Sequence, residues 1–521
     1  MQEIELKFQI PDVALAAVQA ELAALDAGQH APLPLKAAYF DTPNRTLAAA
    51  RMALRVRQEG DEWVQTLKAG GSNTMMRLED NRPAEAPAPG EAIRADLSRH
   101  IGRPAQTVLQ QVLDWDVGQD AAGQRAGLVE LYRTDIVRTR ARITVGAGTP
   151  HEGVVELALD LGHIHSGSLS VPVRELEIES VSGHPMAVID AGRDWVQRHG
   201  LWLDTQTKAH RGDRLARQAA ATAEGTAATA ALPTEHPTLG HAARIRHDAN
   251  VEQAWRAGLE ACLEHITGNM SELATGPNAL ALTAYQWRLA LRRLRALARL
   301  LEGSPLSLPA STLAHAAALN DALGRWRDAE ALAWLPARLF ALGGPMLELP
   351  CPTPTQSQAD AVVALSRSAP ATSLCLDVLA CLLQPVPDKT LAHTSAHDWL
   401  AARLDQVHAR CVKMALHGAN LSDEDLHKLR RLGKRVRLGS DLFSPLWRPK
   451  RQRRHERVLK AALDALGRIQ DEATAEAWYT QAAEQDPRAL FGQGWLQGRR
   501  QSLRKRARRS LERWLRVNTP W

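Results

Sequence analysis

Cysteine is scarce in this chain of 521 residues: Cys262, Cys351, Cys375, Cys381 and Cys411 are all there is. Their spacings are not those of metal ligands, and their odd number argues against a full disulfide set, so a reducing compartment, the cytoplasm, is expected. Long apolar runs are missing as well. The longest candidate, 329–349, is interrupted by Arg338, Gly343, Gly344 and Pro345, so no membrane-spanning segment is expected. The opening residues carry Glu3, Glu5 and Lys7 and do not read as a signal peptide. No Ser/His/Asp or Cys/His arrangement offers a covalent nucleophile.

What is present is uneven charge. Residues 1–218 hold 24 basic and 29 acidic residues, which leaves 40 basic and 29 acidic in the remainder. An acidic portion followed by a strongly basic one points to two jobs, the second directed at a polyanion. The text changes at the same place. Residues 1–218 alternate with period two at 3–10, 53–58, 62–68, 136–145, 154–161 and 171–181, separated by turn residues such as Asp41-Thr42-Pro43-Asn44. Helical patterns interrupt at 11–27, 91–115 and 185–200. Residues 219–237 are rich in Ala and Thr and read as a linker. From 238 to 516 the pattern is helical throughout, with proline-bearing breaks near 303–309, 345–355, 385–388 and 445–449. Two domains are expected, one α+β and one all-α.

On a strand, alternate side chains share a face. Glu3, Glu5 and Lys7 then point together, as do Arg55 and Arg57, and Arg138, Arg140 and Arg142. So do Glu156 and Asp160, and Glu175, Glu177 and Glu179. A solvated sheet face mixes Thr, Ser, Lys and Gln; these faces are almost wholly carboxylate or wholly guanidinium. Clustered carboxylates raise one another's pKa unless cations neutralise them. A hard divalent cation suits such oxygen ligands, and arginine strands suit an anion.

These residues resemble the CYTH family, the triphosphate tunnel metalloenzymes. Glu3-x-Glu5-x-Lys7 is similar to its ExExK signature. In the family's order follow Tyr39-Phe-Asp41-Thr42-Pro43, Leu54-Arg55-Val-Arg57, Trp63 to Lys68, Arg77-Leu-Glu79 and Arg138-Thr-Arg140. Then come Glu156-Leu-Ala-Leu-Asp160-Leu-Gly162, Glu175-Leu-Glu177-Ile-Glu179 and Thr207-Lys208-Ala-His-Arg211-Gly212. The resemblance implies an eight-stranded antiparallel tunnel barrel with flanking helices, its lumen acidic on one side and basic on the other. It implies Glu3, Glu5, Asp160, Glu175 and Glu177 as ligands of Mg²⁺ or Mn²⁺, with Glu79, Glu156 and Glu179 in support. Lys7, Arg55, Arg57, Lys68, Arg77, Arg138, Arg140, Lys208 and Arg211 are implied to hold phosphates, with Lys68 and Tyr39 near the attacking water or leaving group. The reaction implied is hydrolysis of inorganic triphosphate; thiamine triphosphatase, a CYTH-type adenylyl cyclase and a non-catalytic polyphosphate scaffold are the alternatives.

The helical portion carries a weak duplication. Tyr285, Arg288, Arg292, Arg293 and Arg295 echo His427, Arg430, Lys434, Arg435 and Arg437, with Arg431 beside them. Each set is followed by a similar segment, Leu323-Gly324 to Asp328 and Leu466-Gly467 to Asp471, read as turns. Spacings of three and four put His427, Arg430, Arg431 and Lys434 on one helix face. The pattern resembles a CHAD domain, with Tyr285 where the first histidine would stand. That resemblance implies binding of inorganic polyphosphate through Arg288, Arg292, Arg293, Arg295, His427, Arg430, Arg431, Lys434 and Arg435. Nucleic acid is disfavoured, because the tryptophans sit at core-like helical spacing.

Overall fold

The computed structural model describes residues 4–26, 28, 30–73, 76–88, 90–223, 237–276, 280–344, 349, 355–386, 388–416 and 421–521. The chain forms two compact units. Unit 1 gathers Met1–His236, Met270–Ala279 and Ser366–Leu383; unit 2 gathers Pro237–Asn269, Leu280–Leu365 and Gln384–Trp521.

Unit 1 is built on nine strands: β1 (Glu5–Gln9), β2 (Leu33–Asp41), β3 (Met52–Glu59), β4 (Glu62–Asn73), β5 (Met76–Ala84), β6 (Val129–Val145), β7 (Gly153–Ser166), β8 (Leu169–Gly183) and β9 (Trp202–Leu203). They pair antiparallel in the order β5-β4-β3-β2-β6-β7-β8-β1-β9. Eight are the strands expected, and β9 is a two-residue ninth. Among the described residues no pairing joins β5 to β9, so the sheet is not hydrogen-bonded into a closed barrel.

The register stacks the alternate residues into rows across neighbouring strands. One row is Gln9, Glu175, Asp160 and Arg138; the next is Lys7, Glu177, Ala158 and Arg140; the third is Glu5, Glu179, Glu156 and Arg142. The other face is apolar and is covered. Helix α1 spans Leu15–Asp26, α2 Thr46–Ala49, α3 Pro104–Leu113 and α4 Met186–His199. Helix α4 packs so closely that a methyl group on Gly192 would lie 2.9 Å from the Phe8 ring. Leu6, Phe8, Leu157, Leu159, Leu176 and Ile178 are all buried. Burying these apolar residues, at about 25 cal/mol per Å², is what commits the acidic residues to the opposite face.

Helix α5 (Lys208–Ala223) lies on that opposite face. Its Leu215 and Ala216 pack with Leu35, Ala37, Tyr39, Tyr132, Ile136, Ile164 and Val173. The Tyr132 hydroxyl donates to the Ala209 carbonyl at 3.0 Å. Gly212 gives the reason for a glycine after Arg211: a Cβ there would sit 2.2 Å from the Tyr132 ring. The helix runs through Ala223, so the start of the expected linker is helical; residues 224–236 lie outside the described residues.

The remaining helices are α6 (Val251–Ala274), α7 (Leu280–Leu300), α8 (Ala310–Ala333), α9 (Leu335–Ala341), α10 (Gln356–Ser366), α11 (Ala369–Leu383), α12 (Ala396–Leu416), α13 (Asp423–Leu442), α14 (Pro449–Ala482) and α15 (Ala489–Leu515). The breaks expected near 303–309, 385–388 and 445–449 separate α7 from α8, α11 from α12 and α13 from α14; most of 345–355 lies outside the described residues. A capping box starts α13: Ser422 Oγ accepts from the Asp425 N–H at 3.1 Å, and Asp425 accepts from the Ser422 N–H at 3.2 Å.

Two expectations are corrected here. The Leu-Gly segments at 323–328 and 466–471 are not turns; they are interior to α8 and α14. One stretch, Gln356–Leu383, is long and apolar enough to cross a membrane by length and composition, against the expectation of none. It is divided between α10 and α11, 56% of its apolar window is buried, and Asp377 on α11 accepts from Arg193 at 2.8 Å, the pattern of a core helix.

Candidate functional site

The three rows meet at the β1–β8–β7 junction, where Glu175 is fully buried and Asp160 1% exposed. Carboxylate oxygens of Asp160, Glu175 and Glu177 lie within 4.8 Å of one another, and those of Glu5, Glu177 and Glu179 form a second such group. Glu177 belongs to both. Buried acids at this separation must be compensated. Lys208, at the start of α5, brings Nζ to 2.7 Å from each of Asp160, Glu175 and Glu177. Arg138 forks onto Asp160 at 2.6 and 2.8 Å and also reaches Glu177. Arg211 binds Glu175, Lys7 stands 3.9 Å from it, and Gln9 donates to it at 3.0 Å.

Burial pushes the Glu175 carboxyl up, but Lys208, Lys7 and Arg211 outweigh it and hold the group at about 2. Glu177 is driven the same way by Lys208 and Arg138 against its own desolvation. Burial pulls Lys208 down, yet the three carboxylates raise it well above the ordinary lysine range.

A second cluster lies on β2, β3, β4 and β5. Arg55 donates to the Tyr39 hydroxyl at 3.3 Å, and Tyr39 stacks on Tyr132 with centroids 4.7 Å apart. Burial raises the Tyr39 phenol, but Arg55 more than offsets it and lowers the group. Lys68 pairs with Glu79 at 2.8 Å, and Arg57 with Glu59. Arg55 lies in the fields of both Glu79 and Arg138, so the two clusters are electrostatically joined. Two cationic nitrogens, Lys7 Nζ and Arg55 Nε, are buried without a hydrogen-bond partner among the described residues.

The structure therefore brings together Glu5, Lys7, Arg138, Asp160, Glu175, Glu177, Lys208 and Arg211, and sets Tyr39, Arg55, Arg57 and Lys68 beside them. The expected separation into an acidic and a basic side is not how the side chains lie. Arg138, Lys208 and Arg211, read from sequence as phosphate contacts, pair with the acids, because a carboxylate cluster this buried draws in the long cationic side chains nearest to it. Glu179, read as a supporting residue, groups with Glu5 and Glu177. Arg140 is half-buried and its field acts on Asp26. Glu156 pairs with Arg142 at 3.0 Å. Glu3 and the Arg77 side chain lie outside the described residues. Gln9 and Asp204 were missed; Gln9 continues the parity of Glu5 and Lys7, which was the available signal.

In unit 2 the duplication is visible as paired contacts. A methyl group on Gly324 would come within 3.3 Å of Arg288 Nη2, and one on Gly467 within 3.1 Å of Arg430 Nη2, so each glycine lets an arginine lie on its neighbouring helix. Tyr285 lies under the Arg327 guanidinium, and His427 faces Gln470 at 3.1 Å, at matching positions of the two repeats. Arg288 Nε and Arg430 Nε are both buried without a hydrogen-bond partner among the described residues. Desolvation, then Arg292, Arg430 and Arg288, push Lys434 down to about 7; desolvation, then Arg288 and Arg430, push Arg292 to about 10. Arg288, Arg292, Arg430 and Lys434 thus form one cation cluster across α7 and α13. Arg293 does not join it: it is 6% exposed and donates to the His241 carbonyl. Arg295 and Arg435 are half-buried, while Arg431 and His427 are exposed.

The lowered Glu175 pKa has a stability consequence. A carboxyl depressed from 4.5 to about 2 contributes stability in full above its unfolded value and loses it as pH falls through the folded one. Urea unfolding should therefore show the midpoint falling between about pH 4.5 and 2, and Glu175→Gln should flatten that part of the profile. An unchanged slope in the variant would refute the assignment.

Residues 1–212 match the CYTH domain family, and residues 257–480 match the CHAD domain family. The chain is 29% identical over 217 residues to the inorganic triphosphatase of Haemophilus influenzae, a match covering 41% of this chain and 54% of that protein. It thus spans about half the length of the curated relative it matches. Among solved structures, the CHAD domain of the plant Ricinus communis is similar at 24% identity, covering 55% of this chain and 99% of that one, with a TM-score of 0.44. HpAC1 from Hippeastrum, described as having a dominant triphosphatase activity, is similar at 19% identity, covering 43% of this chain and 97% of that one, with a TM-score of 0.28. The chain accordingly carries a CYTH domain over residues 1–212 followed by a CHAD domain over residues 257–480.

Proposed function

We propose that unit 1 is a metal-dependent inorganic triphosphatase that hydrolyses tripolyphosphate to diphosphate and phosphate, and that the cation cluster of unit 2 binds inorganic polyphosphate. The observation that carries the first reading is the juxtaposition of two carboxylate groups sharing Glu177 with buried nitrogens of Lys7 and Arg55 that make no hydrogen bond among the described residues. Acids so placed suit a hard divalent cation, and donors with no hydrogen bond made suit phosphate oxygens.

Asp160, Glu175 and Glu177 already hold an ammonium at hydrogen-bond distance, so their oxygens fit a small cation. Glu5, Glu177 and Glu179 are the more accessible group, each half-buried. Bound there, Mg²⁺ or Mn²⁺ supplies neutralisation of the phosphoryl oxygens. The chain's own residues do the rest. Lys7, Arg55 and Arg57 grip the phosphates and hold the chain of anhydrides in line. Lys68, oriented by Glu79, and Tyr39, oriented by Arg55, stand where the attacking water or the leaving oxygen is placed. Phosphoryl transfer needs mainly positioning and charge stabilisation, which fits a site with no nucleophile.

A phosphate-release panel of tripolyphosphate, ATP, thiamine triphosphate and long-chain polyphosphate, each with Mg²⁺ and Mn²⁺, tests this reading. Tripolyphosphate should be the best substrate. Glu177→Gln, which damages both carboxylate groups, should cut kcat/KM by at least about 10²-fold, several kcal/mol of transition-state stabilisation. Inertness toward the whole panel, or a Glu177→Gln variant near the parent rate, would contradict it.

For unit 2 the supporting observation is the pair of unpartnered Arg288 and Arg430 nitrogens beside a lysine whose pKa is already near 7. A polyanion favours the charged lysine, so affinity should fall as pH rises from about 7. Fluorescence titration with long-chain polyphosphate at pH 6 to 9 should show this decline in the parent and a flatter profile in Lys434→Met. Identical pH profiles would remove Lys434 from the site.

A further inference from the structure

The ammonium of Lys208 is the charge on which the acid trio closes, yet the residues that fix it are not confined to the CYTH match. The segment leading into Lys208 is held on both sides. On one side the Asp204 N–H donates to the Lys7 carbonyl at 3.0 Å. The Asp204 carboxylate accepts from Gln9 at 2.9 Å and from the Gln206 N–H at 2.8 Å. Gln9 also donates to Glu175, so this side is the site itself.

On the other side the partners come from Met270–Ala279 and Ser366–Leu383, stretches that unit 1 includes. The Leu203 N–H donates to Thr372 Oγ1 at 3.2 Å, and the Thr205 N–H to Ser271 Oγ at 2.9 Å. The Gln206 amide donates to Glu272 at 2.8 Å. Glu272 is also paired at 3.0 Å with Arg214 on α5, and Arg214 is 2% exposed. One carboxylate therefore holds the segment before Lys208 and the helix after it. Fixing Arg214 on one side of α5 fixes which side Lys208 and Arg211 present to the acids. Ser271 and Glu272 lie outside residues 1–212 and inside the 257–480 match.

We propose that Ser271 and Glu272 are positioning residues for Lys208 and Arg211: residues of the CHAD-matched stretch that set the geometry of the CYTH site. They act by holding the 203–207 segment and α5, as outer partners hold the groups that contact a ligand. The part concerning substrate binding rests on the triphosphatase reading above; the part concerning Lys208 placement does not.

Two measurements on the full chain test this. In the first, Lys208 is labelled with an amine-specific reagent and quantified by peptide mass spectrometry, with exposed Lys36 as the internal reference. Lys208 should label slowly in the parent. It should label about tenfold faster in Ser271→Ala and in Glu272→Gln, the effect expected when a hydrogen bond that opposes local opening is lost, and return to the slow rate in Ser271→Thr. Ser271→Ala keeps the Arg214–Glu272 pair intact, so it reports even if Glu272→Gln does not fold. In the second, tripolyphosphate kinetics with Mn²⁺ should show KM rising more than kcat falls in Ser271→Ala. Lys208 labelling that stays at the parent rate in folded variants, with or without a lower melting temperature, overturns the proposal. A parent that labels as described but hydrolyses nothing overturns the triphosphatase reading instead and leaves the positioning role standing.

Discussion

Buried charge of one sign on adjacent antiparallel strands is the constraint from which the rest of unit 1 follows. The period of two puts Glu5, Glu177, Glu179, Glu175 and Asp160 on one face, while Leu6, Phe8, Leu157, Leu176 and Ile178 fill the other. Helix α4 seals the apolar face and α5 lies on the charged one, so the buried acids Asp160 and Glu175 cannot be relieved by bulk water. They are relieved by Lys208, Arg138, Arg211 and Lys7. Acid and base are thus interleaved: Lys208 and its neighbouring bases hold Glu175 and Glu177 below the usual carboxylate range, and the acids raise Lys208 and Arg138 in return. A site made this way is already shaped for ligands of both signs, since any cation brought to the acids loosens bases that can then turn to an anion.

Unit 2 applies the same physics with the signs reversed and less compensation. Arg288, Arg292, Arg430 and Lys434 crowd together, and their mutual repulsion together with desolvation is what brings Lys434 to about 7. Gly324 and Gly467 make this possible. Each lacks the methyl group that would press on a guanidinium, so an arginine from one helix can lie along the next.

Much of this was legible in the sequence because it depends on period alone. The shared face of Glu175 and Glu177, or of Arg55 and Arg57, follows from strand parity. So does the presence of helices after residue 238. What was not legible depends on contacts between distant segments. Parity places Arg138 on a charged face, and the resemblance adds Lys208, but neither says whether these residues meet acid or phosphate, and both meet acid. Helical spacing separates Arg292 from Arg293 by about 100°, enough to send one to the cation cluster and the other to the His241 carbonyl, which a motif read by residue type cannot distinguish. The glycines at 324 and 467 looked like turns because glycine usually marks one; here they serve close approach within helices. The strands β2 and β5 lacked clear alternation and came only through family resemblance.

The central claim is that one concave set of side chains takes a cation and a triphosphate side by side. Anomalous diffraction from crystals soaked with Mn²⁺ and a non-hydrolysable tripolyphosphate analogue tests it most directly. The account predicts a manganese peak among Glu5, Glu177 and Glu179 or in place of Lys208 at the acid trio, with phosphate oxygens on Lys7 and Arg55. Manganese bound elsewhere on the molecule, with Lys208 still locked to Asp160, Glu175 and Glu177 and the phosphates absent from Lys7 and Arg55, would contradict it.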